Sequence, residues 1–197
     1  MTRLPTIGIT VSLDPGARIR PGVEYLYVSR AYARAVHDAG ALPLLVPPDA
    51  DAARVARVCD GFVVTGGGML PTALAGGVAA PGRVGAPEQG ERIEWDRRLL
   101  DCARAERRPL LGVCYGMQLL ALALGGALHY DIATDVPGAG QHRLPERDGR
   151  HALRIAEGSR LAIAGGMDWE PVVDVVETAT GKPLLHFNPP GTVSRAV

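Results

Sequence analysis

Short apolar runs rich in Val, Ile and Leu alternate along this chain with longer stretches of helical period. That alternation is the signature of a parallel sheet covered on both faces. "TIGITVS" (6–12) reads as a first strand, and "YLYVSRAYARAVHDAG" (25–40) as a helix closed by Gly40. "ALPLLVP" then gives a second strand, "DADAARVARVCD" (49–60) a short helix, and "GFVVTGGG" (61–68) a buried strand running into a glycine turn. Residues 69–90 carry Gly, Pro and Ala with almost no periodicity and read as a long loop beside the strand ends. "ERIEWDRRLLDCARAERR" (91–108) is an amphipathic helix with Ile93, Leu99, Leu100 and Ala103 on or near one face. "PLLGVC" is the fourth strand, and "YGMQLLALALGG" a helix ending at a glycine pair. Beyond "ALHYDI" the pattern weakens. "HALRIA" reads as a strand, and "EPVVDVVETATGKPLLHF" as two short strands joined at Thr180 and Gly181. No internal repeat or linker divides the chain.

The 197 residues suffice for a sizeable core without a metal or disulfide staple. Lys+Arg and Asp+Glu both number 21, so no charge imbalance calls for nucleic acid or an anionic membrane, and the expected partner is a small molecule or another protein. The apolar runs are too short to span a bilayer, and "MTRLPTIGIT" lacks a signal peptide's apolar segment, so the expected location is cytoplasmic. Cys59, Cys102 and Cys114, an odd number without paired spacing, read as thiols rather than a disulfide framework or a zinc site, and no metal is expected.

Two of those cysteines sit in helices and read as small buried hydrophobes. Cys114 differs, because Gly112-Val113-Cys114-Tyr115-Gly116 places it at a strand-to-helix junction. In a Gly-x-Cys-x-Gly elbow the nucleophile occupies a sharp turn, the glycines give that turn room, and the side chain is lifted above the carboxyl ends of the strands. Ligands bind there in open α/β sheets. A thiol at that place also faces the positive end of the following helix. Attack on an amide carbonyl needs backbone donors for the developing oxyanion. The N–H of Tyr115 and the Gly66-Gly67-Gly68 turn are suited to supply them. That turn lacks the Lys and Ser/Thr of a Walker loop and the spacing of a dinucleotide fingerprint.

"DGFVVTGGG", "RPLLGVCYGMQLLALALGGALHYDI" and "RHALRIAEGSRLA", in that order, resemble the class I glutamine amidotransferase-like hydrolases, specifically the γ-glutamyl-γ-aminobutyrate hydrolase branch. "YLYVSRAYARAVHDAGALPLLVPP" is similar to that branch's first helix and second strand, and the likeness covers about residues 5–162. It implies an α/β, flavodoxin-like three-layer sandwich with a mostly parallel sheet and a nucleophile elbow. It also implies a Cys-His-Glu triad that cleaves a γ-glutamyl amide through a thioester, without a cofactor. Cys114 matches the nucleophile, Gly67 and Tyr115 the oxyanion donors, and Gln118 the glutamine one turn later. Gly66 and Gly68 fall in the substrate-binding turn.

The chain departs from this family in three places. The family's Gln-Phe/Trp-His-Pro-Glu motif and its Asn-Ser-x-His-His-Gln segment are both absent. "HFNPP" (186–190) sets Asn188 at the histidine and Pro190 at the glutamate, and neither side chain is a base. A rival alignment sets "TVSRAV" against the start of the second segment. Met69 stands where an acidic residue is common. Among His129, His142, His151 and His186, the last is the candidate substitute base: it lies two residues before position 188, on the same side of a strand and roughly 6 to 7 Å lower. The expectation is therefore a single domain over 1–197, shortened or altered after about residue 162, that hydrolyses a γ-glutamyl-γ-aminobutyrate-like substrate or glutamine. The alternatives are an impaired homologue acting as a binding or scaffold protein, or a truncated gene product. A homo-oligomer is compatible with the sequence, which leaves that state open.

Overall fold

The computed structural model describes residues 3–16, 18–71, 74, 88–129, 135–138, 162–165, 172–176, 183–188 and 192–194. The chain divides into two compact units, Met1–Asp131 and Ile132–Val197.

The first unit is built on a four-stranded parallel sheet. β1 (Thr6–Thr10) is flanked by β4 (Leu42–Val46) and β5 (Gly61–Val64), and β6 (Leu110–Gly112) lies outside β5, so the order is β4-β1-β5-β6. Register runs Ile9↔Leu45, Ile9↔Val63 and Val64↔Gly112. Counting only these strands the order is 2-1-3-4, that of flavodoxin-like doubly wound sheets, and the expected fold class holds. Helix α1 (Arg30–Asp38) packs on β1 and β4, while α2 (Ala52–Val58), α3 (Gly90–Ala105) and α4 (Tyr115–Ala123) pack in sequence order beside one another. Right-handed crossovers put α1 on one face and the other three on the opposite face.

α3 carries most of the core. One side of it places Trp95, Leu99 and Ala103 against Val46, Cys59 and Phe62. The other side places Ile93 and Leu100 against Val64, Leu70, Tyr115 and Leu119. Each fully buried large apolar side chain among them contributes roughly 1.5–3 kcal/mol. The Trp95 indole N–H donates to the Ala50 carbonyl at 2.7 Å, which fixes the start of α2 against α3. Cys59 is fully buried in this core, as a small hydrophobe should be, and Cys102 is half-buried.

The first expected helix starts later than the periodicity predicts. Tyr25–Tyr27 forms β3, pairing antiparallel with β2 (Ser12–Asp14), and the first strand correspondingly ends at Thr10. The aromatic run Tyr-Leu-Tyr suits a strand, and the Ser29 hydroxyl accepts from the Ala31 N–H at 3.3 Å, which starts the helix at Arg30.

The second unit holds a four-stranded antiparallel sheet, order β10-β9-β8-β7, from Ala162–Gly165 (β7), Val172–Val176 (β8), Pro183–Asn188 (β9) and Thr192–Ser194 (β10). β8 and β9 are the expected antiparallel pair. Their turn at Thr180 and Gly181, and the strand expected at "HALRIA", lie outside the described residues.

Candidate active site

Three strand ends of the first unit converge. Beyond β1 comes Ser12, beyond β5 comes Thr65-Gly66-Gly67-Gly68, and beyond β6 comes Cys114. The Thr65 hydroxyl donates to the Thr10 carbonyl at 3.0 Å and the Thr65 N–H donates to the Thr10 hydroxyl at 3.1 Å, tying the first two ends together.

Cys114 has φ 50° and ψ −108°, a left-handed conformation that a non-glycine residue adopts only when its surroundings impose it. Packing on both sides imposes it here. A Cβ on Gly112 would stand 2.6 Å from the Gly116 carbonyl carbon and oxygen, and a Cβ on Gly116 would collide with the Val64 carbonyl. Both glycines are therefore required for α4 to start directly over β5 and β6. The elbow exposes the Cys114 side chain and buries Val113, Tyr115 and Gly116 around it. At the start of α4 the Gly116 N–H donates to the Val113 carbonyl and the Gln118 N–H to the Cys114 carbonyl. The Tyr115 N–H, at the first helical position, has no acceptor among the described residues. Gln118 is half-buried one turn after the cysteine.

The glycine turn abuts the elbow: a Cβ on Gly66 would lie 3.7 Å from the Cys114 Cβ and 3.2 Å from the Tyr32 hydroxyl. The Gly66 N–H donates to that hydroxyl at 3.0 Å. Burial and the neighbouring Cys114 push the Tyr32 phenol up, so it remains a protonated donor beside the thiol. The Gly68 N–H donates to Glu88 Oε2 at 2.7 Å. Met69 brings no carboxylate to the glycines, but Glu88 brings one from twenty residues further on.

Under the turn lies Arg92, fully buried. Its guanidinium donates to Ser12 Oγ at 2.6 Å, Glu88 Oε2 at 2.7 Å, Thr65 Oγ1 at 2.9 Å, the Thr65 carbonyl at 3.3 Å and the Gly66 carbonyl at 3.4 Å. It also stands 4.5 Å above the Tyr115 ring centroid, a cation–π contact reaching the elbow from below. Its Nε lies 3.3 Å from Asp96 Oδ2 but is not aligned for a hydrogen bond, and the Tyr115 hydroxyl is likewise left without an aligned partner. One guanidinium thus faces two buried carboxylates. Burial, with Glu88 adding repulsion, pushes Asp96 up to about 6 despite the attraction of Arg92.

The structure brings together Cys114, Tyr115 and the Gly66–Gly68 turn, as the elbow pattern requires. His186 belongs to the second unit, where β9 sets it in register with Asp174 on β8 and Ser194 on β10. His129 is exposed after α4, and His142 and His151 lie outside the described residues. Among the described residues the Cys114 thiol has no hydrogen-bond partner. Sequence reasoning missed Tyr32, Glu88, Arg92 and Asp96. A signal for two of them existed: Arg92 and Asp96 lie four residues apart on the face of α3 that also carries Leu99 and Ala103, where charges have no solvated place, and Glu88 continues the same spacing just before the helix.

The model of the peptidase C26 family matches residues 5–180. In Mycobacterium tuberculosis, "Putative glutamine amidotransferase Rv2859c" is 34% identical over 166 residues, covering 80% of this chain and 52% of its own length. Protein NtpR of Enterococcus hirae is 29% identical over 135 residues, covering 66% of this chain and 55% of its own. The chain spans about half the length of these curated relatives. It belongs to the peptidase C26 family, of the class I glutamine amidotransferase-like type.

Proposed function

We propose that this member of the peptidase C26 family takes a γ-glutamyl group from a γ-glutamyl amide, a γ-glutamyl-γ-aminobutyrate-like compound or glutamine, onto Cys114. The observation that carries the reading is the left-handed Cys114 backbone at the strand-to-helix elbow, with the thiol exposed beside a glycine turn. The Cys114 sulfur attacks the γ-carbonyl and its proton leaves to a base. The carbonyl oxygen takes the negative charge toward the Tyr115 and Gly67 N–H groups, the C–N bond breaks, and the amine departs with a proton. Water then hydrolyses the thioester and releases glutamate. Gly66, Gly68 and Gln118 border the acyl group. The reading assigns acyl transfer to Cys114.

Glutamate release from γ-glutamyl-γ-aminobutyrate and from glutamine, compared with Cys114→Ser, tests it. Release abolished by the substitution supports the reading. Equal release by both proteins, or none from either with Cys114 left unacylated, refutes it. A stable acyl-enzyme without turnover marks the impaired, ligand-holding form of the same site.

A further inference from the structure

Of five backbone polar atoms that Thr65–Gly68 sets beside the elbow, the side chains of Tyr32, Glu88 and Arg92 claim four. The Gly66 N–H is taken by Tyr32 of α1. The Gly68 N–H is taken by Glu88, two residues before α3. The Thr65 and Gly66 carbonyls are taken by Arg92 of α3. The Gly67 N–H, in the middle, has no partner among the described residues, and Gly67 is the exposed member of the three. A Cβ on Gly67 would run into the Glu88 carboxylate and the Arg92 guanidinium, so these groups press directly against the turn. A donor left free between two that are bound is a donor whose direction is set in advance, and such preorganisation is what makes an oxyanion contact effective.

We propose that Glu88 and Arg92 are positioning residues that hold the Gly66–Gly68 turn so that the Gly67 N–H alone remains free to meet the acyl oxygen on Cys114. The same guanidinium, stacked on the Tyr115 ring, fixes the residue that supplies the second N–H. One cation thereby sets both donors, from β5 and from α4. The second carboxylate, Asp96, meets Arg92 at Nε, whereas the turn is held through Nη1 and Nη2.

The inference rests on the acyl-transfer reading of Cys114, and two readouts separate its failure from the failure of that reading. The first is single-turnover acylation by a γ-glutamyl p-nitrophenyl ester, whose leaving group needs no proton, set against alkylation of the same thiol by iodoacetamide, which forms no oxyanion. Glu88→Gln and Arg92→Lys should acylate at least about tenfold more slowly, part of the ~10²–10³ attached to a whole oxyanion donor, with alkylation unchanged. Arg92→Lys should retain more activity than Arg92→Met. The second is amide hydrogen exchange at Gly66, Gly67 and Gly68, which needs no activity: Glu88→Gln should raise exchange at Gly68 while the α4 amides keep theirs. Unchanged acylation in both conservative variants, or unchanged exchange at Gly68, overturns the proposal. An unacylated parent protein with the expected exchange pattern overturns the acyl-transfer reading and leaves the clamp standing.

Discussion

Replacing Asp96 by Asn keeps the shape of a fully buried side chain and removes one of two carboxylates from around one guanidinium. With Glu88, Arg92 and Asp96 all ionised the cluster carries an unbalanced negative charge out of contact with water, and neither Asp96 oxygen has an aligned donor. Asp96 therefore holds its proton in the folded protein to about 6, against 3.8 for the ordinary group. A folded-state value raised in this way contributes stability that is fully present below the unfolded value and is lost as pH rises through the folded one. Worked between pH 4.5 and 7.5, the loss from this group is about 2 kcal/mol. The Asn variant has no such proton to lose. Urea unfolding of both proteins at the two pH values should show the variant gaining about 2 kcal/mol relative to the parent on going from pH 4.5 to 7.5. A constant difference, or a variant that falls behind as pH rises, would mean that Asp96 is ionised and stabilised by Arg92, and the charge count would be wrong.

Two further outcomes follow from the elbow and its neighbours. Gly116→Ala drives a methyl group into the Val64 carbonyl of β5; since the obstacle is strand backbone, the cost in urea unfolding should reach about 3 kcal/mol, the upper end for overpacking. Tyr32→Phe leaves the Gly66 N–H without its acceptor. A loss of ~1.4 kcal/mol from that bond would appear as roughly tenfold slower single-turnover acylation, with alkylation of Cys114 unaffected.

The sheet was legible because its strands are short apolar runs: "GFVV" is buried along its whole length, and the glycines that follow it marked where the backbone turns. The elbow was legible for the same reason, since Gly112 and Gly116 flank Cys114 at the spacing its steric surroundings demand. The later start of α1 was missed because helical period extends back through Tyr25–Tyr27, and only pairing with Ser12–Asp14 makes that segment a strand. Arg92 and Asp96 were missed because the helix over 91–108 was read from its apolar residues alone, and Glu88 because it falls in the stretch 69–90 that reads as a loop. What buries them is tertiary, the packing of α3 between α2 and α4 under the glycine turn. Glu88 in particular closes a loop from Gly68 that no local pattern reveals.

The most direct test is the mass of the protein quenched in acid seconds after mixing with a γ-glutamyl p-nitrophenyl ester, followed by mapping of the modified peptide. The account predicts one γ-glutamyl group, on Cys114, labile to hydroxylamine as a thioester is, and absent from Cys114→Ser. Modification spread over Cys102 and lysines at similar rates, or a Cys114 that alkylates freely yet never acquires the acyl group, would contradict it.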